Sequence, residues 1–271
     1  TPPATIDLGD GTMQSIVTYA ALKGLTLIPG YEFSCDTNVD DVHICGYNLD
    51  WSNPLVAAEV EAGKRSKTRA YEELCERLTA RGMPLDWQQD ILNYTALDGS
   101  KKTRDPEEVQ RKHIFEALAQ KGYVSSWSDG KLLVRDNPEL NVQRRKIDPL
   151  EAIKLIHHCG GIAILAHPYL IDEEVAPAGC SGKISRADYI ERLIAAGLDG
   201  IEASYSYNKT SYKGTQTPEE IEAEVRAKYT SRLRFISGGS DYHADAKKGS
   251  KKVRQIGERG LSVAEFEKIF Q

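Results

Sequence analysis

Apolar positions along the chain follow two alternating periods. Ile16, Val17, Ala20 and Ala21 share one face at helical spacing and Gly24 follows as a C-cap, which predicts a helix over residues 13–23. The apolar run 25–29 predicts a buried strand, and residues 31–34 and 41–47 predict two more strands about the polar loop 36–40. The pattern then changes. From Pro54 to about Arg145 the chain is charge-rich and mostly helical, most clearly over 55–81 and 106–121. Pro106 suits a first helical position, the acidic residues after it suit the helix dipole, and Gly122 closes the segment. After Asp148 short apolar runs again alternate with amphipathic ones: helices over 149–159, 185–196 and 217–229, strands over 162–166, 200–204 and 234–237, and a turn over 238–240. Repeated strand-then-helix units with apolar strands predict a parallel sheet, closed or nearly closed. The reading is an α/β chain: residues 1–53 and 146–271 form one domain, and 54–145 an inserted helical subdomain.

Composition narrows the class. The 271 residues are 40% hydrophobic, which excludes wholesale disorder. A net charge of −5 weighs against a broad nucleic-acid footprint, though not against a local basic cleft. No apolar run approaches the ~20 residues that span a bilayer, and the first residues carry no signal-peptide pattern. The five cysteines lack C-x-x-C spacing, so reduced thiols in a cytoplasmic protein are expected.

The chemistry gathers at strand ends. Glu32 follows one predicted strand, His43 lies in another, and His167 ends the apolar run of Ala166-His167-Pro168. Glu202 sits in Gly200-Ile201-Glu202-Ala203, and Asp241 and His243 form a D-x-H. A lone histidine in a strand is more often a core or surface residue than a ligand. Three strand-end histidines with a D-x-H and a strand-end Glu reverse that balance, because barrel-like α/β folds bring strand ends to one place. Imidazoles with carboxylates and no thiolate suit Zn, Mn or Fe, and two such cations can clamp a phosphoryl group. Glu202 fits ligation and support of a ligand equally well. The basic run 64–69 reads as a solvated helix face.

The ordered motifs 30–34, the His43 strand, 160–168 and 238–243 resemble the PHP (polymerase and histidinol phosphatase) superfamily, nearest the metal-dependent phosphoesterases of the TrpH/RNase AM group. The resemblance implies a distorted seven-stranded β/α (PHP, TIM-like) barrel with an inserted helical subdomain and two or three divalent metal ions (Mn, Zn or Fe). The ligands it implies are Asp10, Glu32 as the bridge, His43, His167, Asp241 and His243, with His167, Asp241 and His243 also catalytic. Residues 110–124 resemble the segment R-P-H-I-x-x-A-L-x-x-x-G-Y-V, with Lys112 in place of the proline; this implies that Arg111 and His113 bind substrate phosphate. The chain departs from the family in one region. Where the family has I-D-L-H-x-H, S-D-G-T, a helix and strand and then T-D-H, residues 6–8 run directly into 9–12, and 25–26 run into 27–29. The H-x-H and D-H histidines are absent. The joins read as two segments left out, since deleting a strand from a closed barrel is poorly tolerated.

The resemblance implies a hydrolase that cleaves phosphate esters of small nucleotides or short oligonucleotides by metal-activated water, without membrane or obligate protein partner. The absent histidines keep a second reading open, a metal-poor module that binds phosphorylated ligands without hydrolysing them. A histidinol-phosphatase-like enzyme is a third.

Overall fold

The protein is described by a computed structural model covering residues 5–95, 99–243 and 252–270. In chain order its elements are β1 (Thr5–Asp7), β2 (Met13–Ser15), α1 (Ile16–Leu22), β3 (Gly30–Ser34), β4 (His43–Tyr47), α2 (Pro54–Ala80), β5 (Asn93–Thr95) and β6 (Lys101–Thr103). These are followed by α3 (Arg111–Gln120), α4 (Trp127–Arg135), α5 (Pro149–His158), β7 (Ile162–Leu165), β8 (Glu174–Val175) and β9 (Ile184–Ser185). The last elements are α6 (Arg186–Ala195), β10 (Gly200–Ser204), α7 (Pro218–Tyr229), β11 (Phe235–Gly238) and α8 (Val263–Phe270). The chain divides into two compact units, one of Ala58–Arg145 and one of the residues on either side of it.

The flanking unit is built on a five-stranded sheet of order β11-β10-β7-β4-β3. It is mixed, where the sequence pattern predicts a parallel one. The strands β7, β10 and β11 are parallel, whereas β4 runs antiparallel to β7 and β3 antiparallel to β4. The cause is loop length. Residues 35–42 are fewer than the dozen or so that a crossover between parallel strands needs, so β3 and β4 can only fold as a hairpin.

Strong local signals set the helices of this unit. Asp148 accepts from the N–H of Leu150 at 2.8 Å and so starts α5 at Pro149. Thr217 and Glu220 form a reciprocal capping box at the head of α7.

The N-terminal segment departs from expectation. Residues 13–15 pair with 5–7 in an antiparallel hairpin, so the helix is only Ile16–Leu22 and buries none of its residues. The predicted strand at 25–29 does not form; Leu25 is 65% exposed. Pro29 abuts β3 directly, which leaves no room for the turn that a separate strand would need. The predicted helix 106–121 is also interrupted. A short 3₁₀ turn at Pro106–Glu108 gives way to extended Val109 and Gln110, and α3 starts afresh at Arg111. Val109 is fully buried, and the Gln110 N–H donates to His113 Nδ1 at 3.1 Å.

Side chains alternate across the sheet. One face, carrying Phe33, Ile44, Ala163, Leu165, Ile201 and Ala203, is buried. On the other face, Ile162, Ile164, Cys45, Tyr47 and Phe235 pack with Ile269 and Phe270 of α8. One step toward the C-terminal ends of β7 and β10, that same face turns polar. The other unit holds its own core, in which Tyr71, Leu74 and Leu78 of α2 cluster with Ile114 and Leu118 of α3 and Val134 of α4.

Candidate metal centre

Strand register brings the polar residues together. Glu32 pairs with Cys45 across β3 and β4, and Ser34 with His43, so Glu32 and His43 are diagonal neighbours on one face. The His43 carbonyl accepts from the Ala166 N–H at 3.0 Å, which places the end of β7 beside His43. His167 comes next, in a left-handed conformation at φ 32° that turns its ring toward the pair. A non-glycine residue there costs ~1–3 kcal/mol, and a following proline makes it worse. Such strain persists only where surrounding contacts fix it. The main one is Glu202 of β10, paired with Ser237 of β11; its Oε2 accepts from the His167 N–H at 2.7 Å.

Three ligand atoms converge as a result. His43 Nδ1 lies 2.7 Å from Glu32 Oε1 and 3.1 Å from His167 Nε2, and His167 Nε2 lies 3.2 Å from Glu32 Oε1. A tetrahedral cation with ligand bonds of ~2.0–2.1 Å separates its ligand atoms by about 3.3 Å, and an octahedral one by about 2.9 Å. The observed triangle fits either. His167 is buried, and its Nδ1 has no hydrogen-bond partner among the described residues. The hydrogen-bonding contacts of the ring are those of Nε2, to Glu32 and His43.

Charge agrees with that use. Burial alone would raise the Glu32 carboxyl, but the hydrogen bonds from His167 and His43 outweigh it and hold the group well below the ordinary carboxylate range. Glu202 goes the other way. Burial, with the charges of Asp241 and Glu32 nearby, pushes it up to about 8 despite the bond from the His167 N–H. The half-buried Cys45 thiol is also raised, first by desolvation and then by Glu32, Glu202 and Asp241. Three carboxylates thus act on one space.

The remaining sequence-predicted residues lie apart from the triangle. Asp241, left-handed at φ 50°, accepts at Oδ2 from the Tyr205 hydroxyl at 3.0 Å and from Arg254. Its Oδ1 lies 3.0 Å from His243 Nδ1. Tyr205, buried with its ring centroid 5.1 Å from that of His167, links the two clusters. Asp10 is not brought in: it sits exposed at the β1–β2 turn, where Oδ1 accepts from the Thr12 N–H at 2.8 Å. In the other unit, Arg111 Nη2 reaches the Val142 carbonyl at 3.4 Å. His113, desolvated and beside Arg104 and Lys112, is lowered to about 4, so at neutral pH it is uncharged. Its Nδ1 accepts from Gln110, which leaves the proton on Nε2. Sequence reasoning missed Tyr205 and Arg254. Tyr205 had a readable signal, since it immediately follows the strand that carries Glu202; Arg254 had none.

No family model matches the chain. Among curated proteins it is 33% identical over 148 residues to a 5′-3′ exoribonuclease of Haemophilus influenzae, over 54% of this chain and 49% of the relative. It is 31% identical over 146 residues to the 5′-3′ exoribonuclease Rnm of Escherichia coli, over 53% and 46%. The chain thus spans about half the length of these relatives. A longer match, 26% identical over 258 residues, covers 91% of this chain and 79% of a 3′,5′-nucleoside bisphosphate phosphatase from Chromobacterium violaceum. These similarities agree with the resemblance to the PHP superfamily carried by the sequence motifs. Solved structures share the fold of this chain. It superposes on a proposed metal-dependent phosphoesterase from Bifidobacterium adolescentis with a TM-score of 0.56 at 23% identity, covering 93% of this chain and 78% of that one. An amidohydrolase from Chromobacterium violaceum with bound sulfate gives 0.52 at 20% identity, over 81% and 69%.

Proposed function

We propose that this chain is a PHP-type metal-dependent phosphoesterase acting on small phosphorylated nucleotides or short oligonucleotides. The observation that carries the reading is the triangle of Glu32 Oε1, His43 Nδ1 and His167 Nε2, whose spacing suits one divalent cation. Mn, Zn and Fe all accept this donor set. Asp241 and His243 are proposed for a second position; Asp10 is left out because its carboxylate is used in its own turn. When bound, divalent cations there lower the pKa of a coordinated water and neutralise phosphoryl oxygens.

The chain's own residues do the holding. Glu202 fixes the His167 backbone, and Tyr205 fixes Asp241. Arg111 and His113 are proposed as phosphate ligands, the arginine through its paired donors and the neutral histidine through its Nε2–H. The substrate class is supported by the nuclease and bisphosphate phosphatase relatives, and the net charge of −5 favours short substrates over long nucleic acid. We read the five-stranded sheet as part of the seven-stranded barrel that the family resemblance implies, the joins having left out the strand that precedes T-D-H. The missing histidines support one competing reading, a phosphate-ester-binding module without turnover.

A panel of nucleoside bisphosphates, mononucleotides and short 5′-phosphorylated oligonucleotides, assayed with added Mn²⁺ or Zn²⁺, separates the two. Turnover by the wild type that His167→Ala abolishes is expected. Binding without turnover favours the module, and equal turnover by both proteins overturns the metal centre.

A further inference from the structure

The loop that follows β10 carries aromatic residues that the metal triangle does not use. Between ring centroids, Tyr205 lies 5.1 Å from His167, Tyr207 4.9 Å from Tyr205, and Tyr212 5.4 Å from Tyr207. Tyr205 and Tyr207 are buried, and Tyr212 is half-buried. Together with Asn208, Thr215 and Pro218, Tyr207 and Tyr212 line an open cleft of about 430 Å³ between this loop and the head of α7. That is within the ~300–1,000 Å³ of cavities that take small ligands. The loop is tied so as to hold both rings. Thr210 Oγ1 donates to the Tyr207 carbonyl at 2.8 Å and accepts from the Tyr212 N–H at 3.3 Å. The Tyr212 ring lies close over Gly214, where a Cβ would overlap its hydroxyl and Cζ. Charged groups at the rim are engaged in the fold: Glu219 pairs with Arg259 at 2.7 Å, and Lys252 Nζ donates to the Asn208 carbonyl at 3.0 Å. Two aromatic rings, the Asn208 amide and the Thr215 hydroxyl are left to meet a ligand.

We propose that this cleft holds the nucleobase of the substrate, with Tyr212 as the stacking surface. The inference rests on reading the chain as a nucleotide phosphoesterase, and it assigns a place to the part of the substrate that does not react. A base has flat faces that stack on aromatic side chains and an edge of donors and acceptors that an amide and a hydroxyl can meet. A phosphate has no such face. Nor is the head of α7 an anion site, since its first turn carries Glu219 and Glu220 and the Glu220 N–H is capped by Thr217. Two ring contacts separate Tyr207 from His167, so a phosphate at the triangle and a base in the cleft are within the reach of a nucleotide or a dinucleotide. Stacking of one base on an aromatic side chain is worth roughly five- to a hundredfold in affinity.

The test uses the full chain and compares turnover of adenosine 3′,5′-bisphosphate with that of its abasic analogue, in which hydrogen replaces the base. Calorimetric binding of adenosine, which has no phosphate, is measured alongside. Tyr212→Ala should lower kcat/KM for the bisphosphate at least about fivefold more than for the abasic analogue, through KM, and weaken adenosine binding by a similar factor. Gly214→Ala, which displaces the ring without removing it, should act in the same direction on both measures. Tyr212→Phe, which keeps the ring, should retain most of the preference for the substrate that carries a base. Equal losses on the two substrates in Tyr212→Ala overturn the proposal, as does adenosine binding that neither Tyr212→Ala nor Gly214→Ala weakens. The function on which the inference rests fails separately. A wild type that turns over neither ester but binds adenosine through Tyr212 loses the phosphoesterase reading and keeps the base site.

Discussion

His167 shows how much of the centre a single residue concentrates. Its ring completes the ligand triangle, its backbone is left-handed ahead of a proline, and its N–H is held by Glu202. The sequence marks it as a strand-end histidine but does not show the strain, since a residue before proline ordinarily stays extended. Glu202 was open between ligand and support; the structure gives it the supporting contact. Its shift makes a signed prediction for the metal-free protein. Below the ordinary value of 4.5, native and unfolded carboxyls are both protonated and burial costs no charge. Between there and about 8 the unfolded chain ionises first, so stability falls as pH rises, and above about 8 the penalty is complete. Glu202→Gln keeps an acceptor for the His167 N–H and cannot ionise. Its stability relative to wild type in EDTA should therefore grow from pH 5 to pH 9, by on the order of 2–4 kcal/mol in chemical denaturation. A difference independent of pH would show that Glu202 is not a buried, disfavoured carboxylate.

At the scale of elements, the helices and parallel strands after residue 148 were legible because periodicity, caps and glycine stops agree there. Strand 200–204 is found where the apolar run predicts it, and α7 starts one residue after its capping threonine. The direction of β3 and β4 was also readable, from the shortness of loop 35–42, but apolar strands alone suggested a parallel sheet. The 25–29 run misled for a different reason: hydrophobicity shows that a segment could be buried, not that a partner exists to bury it. The sheet itself depends on close approach at Gly200, between Ile164 and Phe235. A Cβ there would lie 2.6 Å from the Phe235 carbonyl oxygen and 2.5 Å from Ile164 Cδ1. The backbone contact cannot yield as a side-chain tip can. Gly200→Ala should cost about 1–3 kcal/mol in urea unfolding, and because Glu202 lies two residues along the same strand, bound metal should fall with it. Unaltered unfolding would mean that β10 and β11 separate more easily than their register implies.

Across the whole molecule, two units with separate cores share one chain, and they carry different parts of the proposed chemistry. The composition break near Pro54 is visible because the second core is assembled mostly from helices, with charged residues between its apolar positions. What the sequence cannot convey is the working state of its basic residues. His113, implied by the resemblance to bind substrate phosphate, is uncharged at neutral pH and has Nδ1 occupied by its own helix start. Arg111 precedes it by two residues on the same first turn, and its hydrogen bond to the Val142 carbonyl is long at 3.4 Å. A guanidinium so weakly held can exchange that carbonyl for a phosphate oxygen at little cost, whereas His113 must keep its capping bond and can offer only Nε2–H. The two substitutions should therefore separate. If Arg111 binds phosphate as proposed, Arg111→Ala should remove a charge-assisted hydrogen bond worth ~1.5–3 kcal/mol and lower phosphate-ester turnover roughly ten- to a hundredfold. His113→Ala should lose less in turnover but also destabilise the start of α3. Both should retain the metal content of the wild type by elemental analysis, since neither belongs to the ligand triangle. Lys112, about 100° round the helix from Arg111, should matter less than either. Full activity in Arg111→Ala would confine the chemistry to the sheet-bearing unit and leave 110–124 as a helical segment without a role in substrate binding.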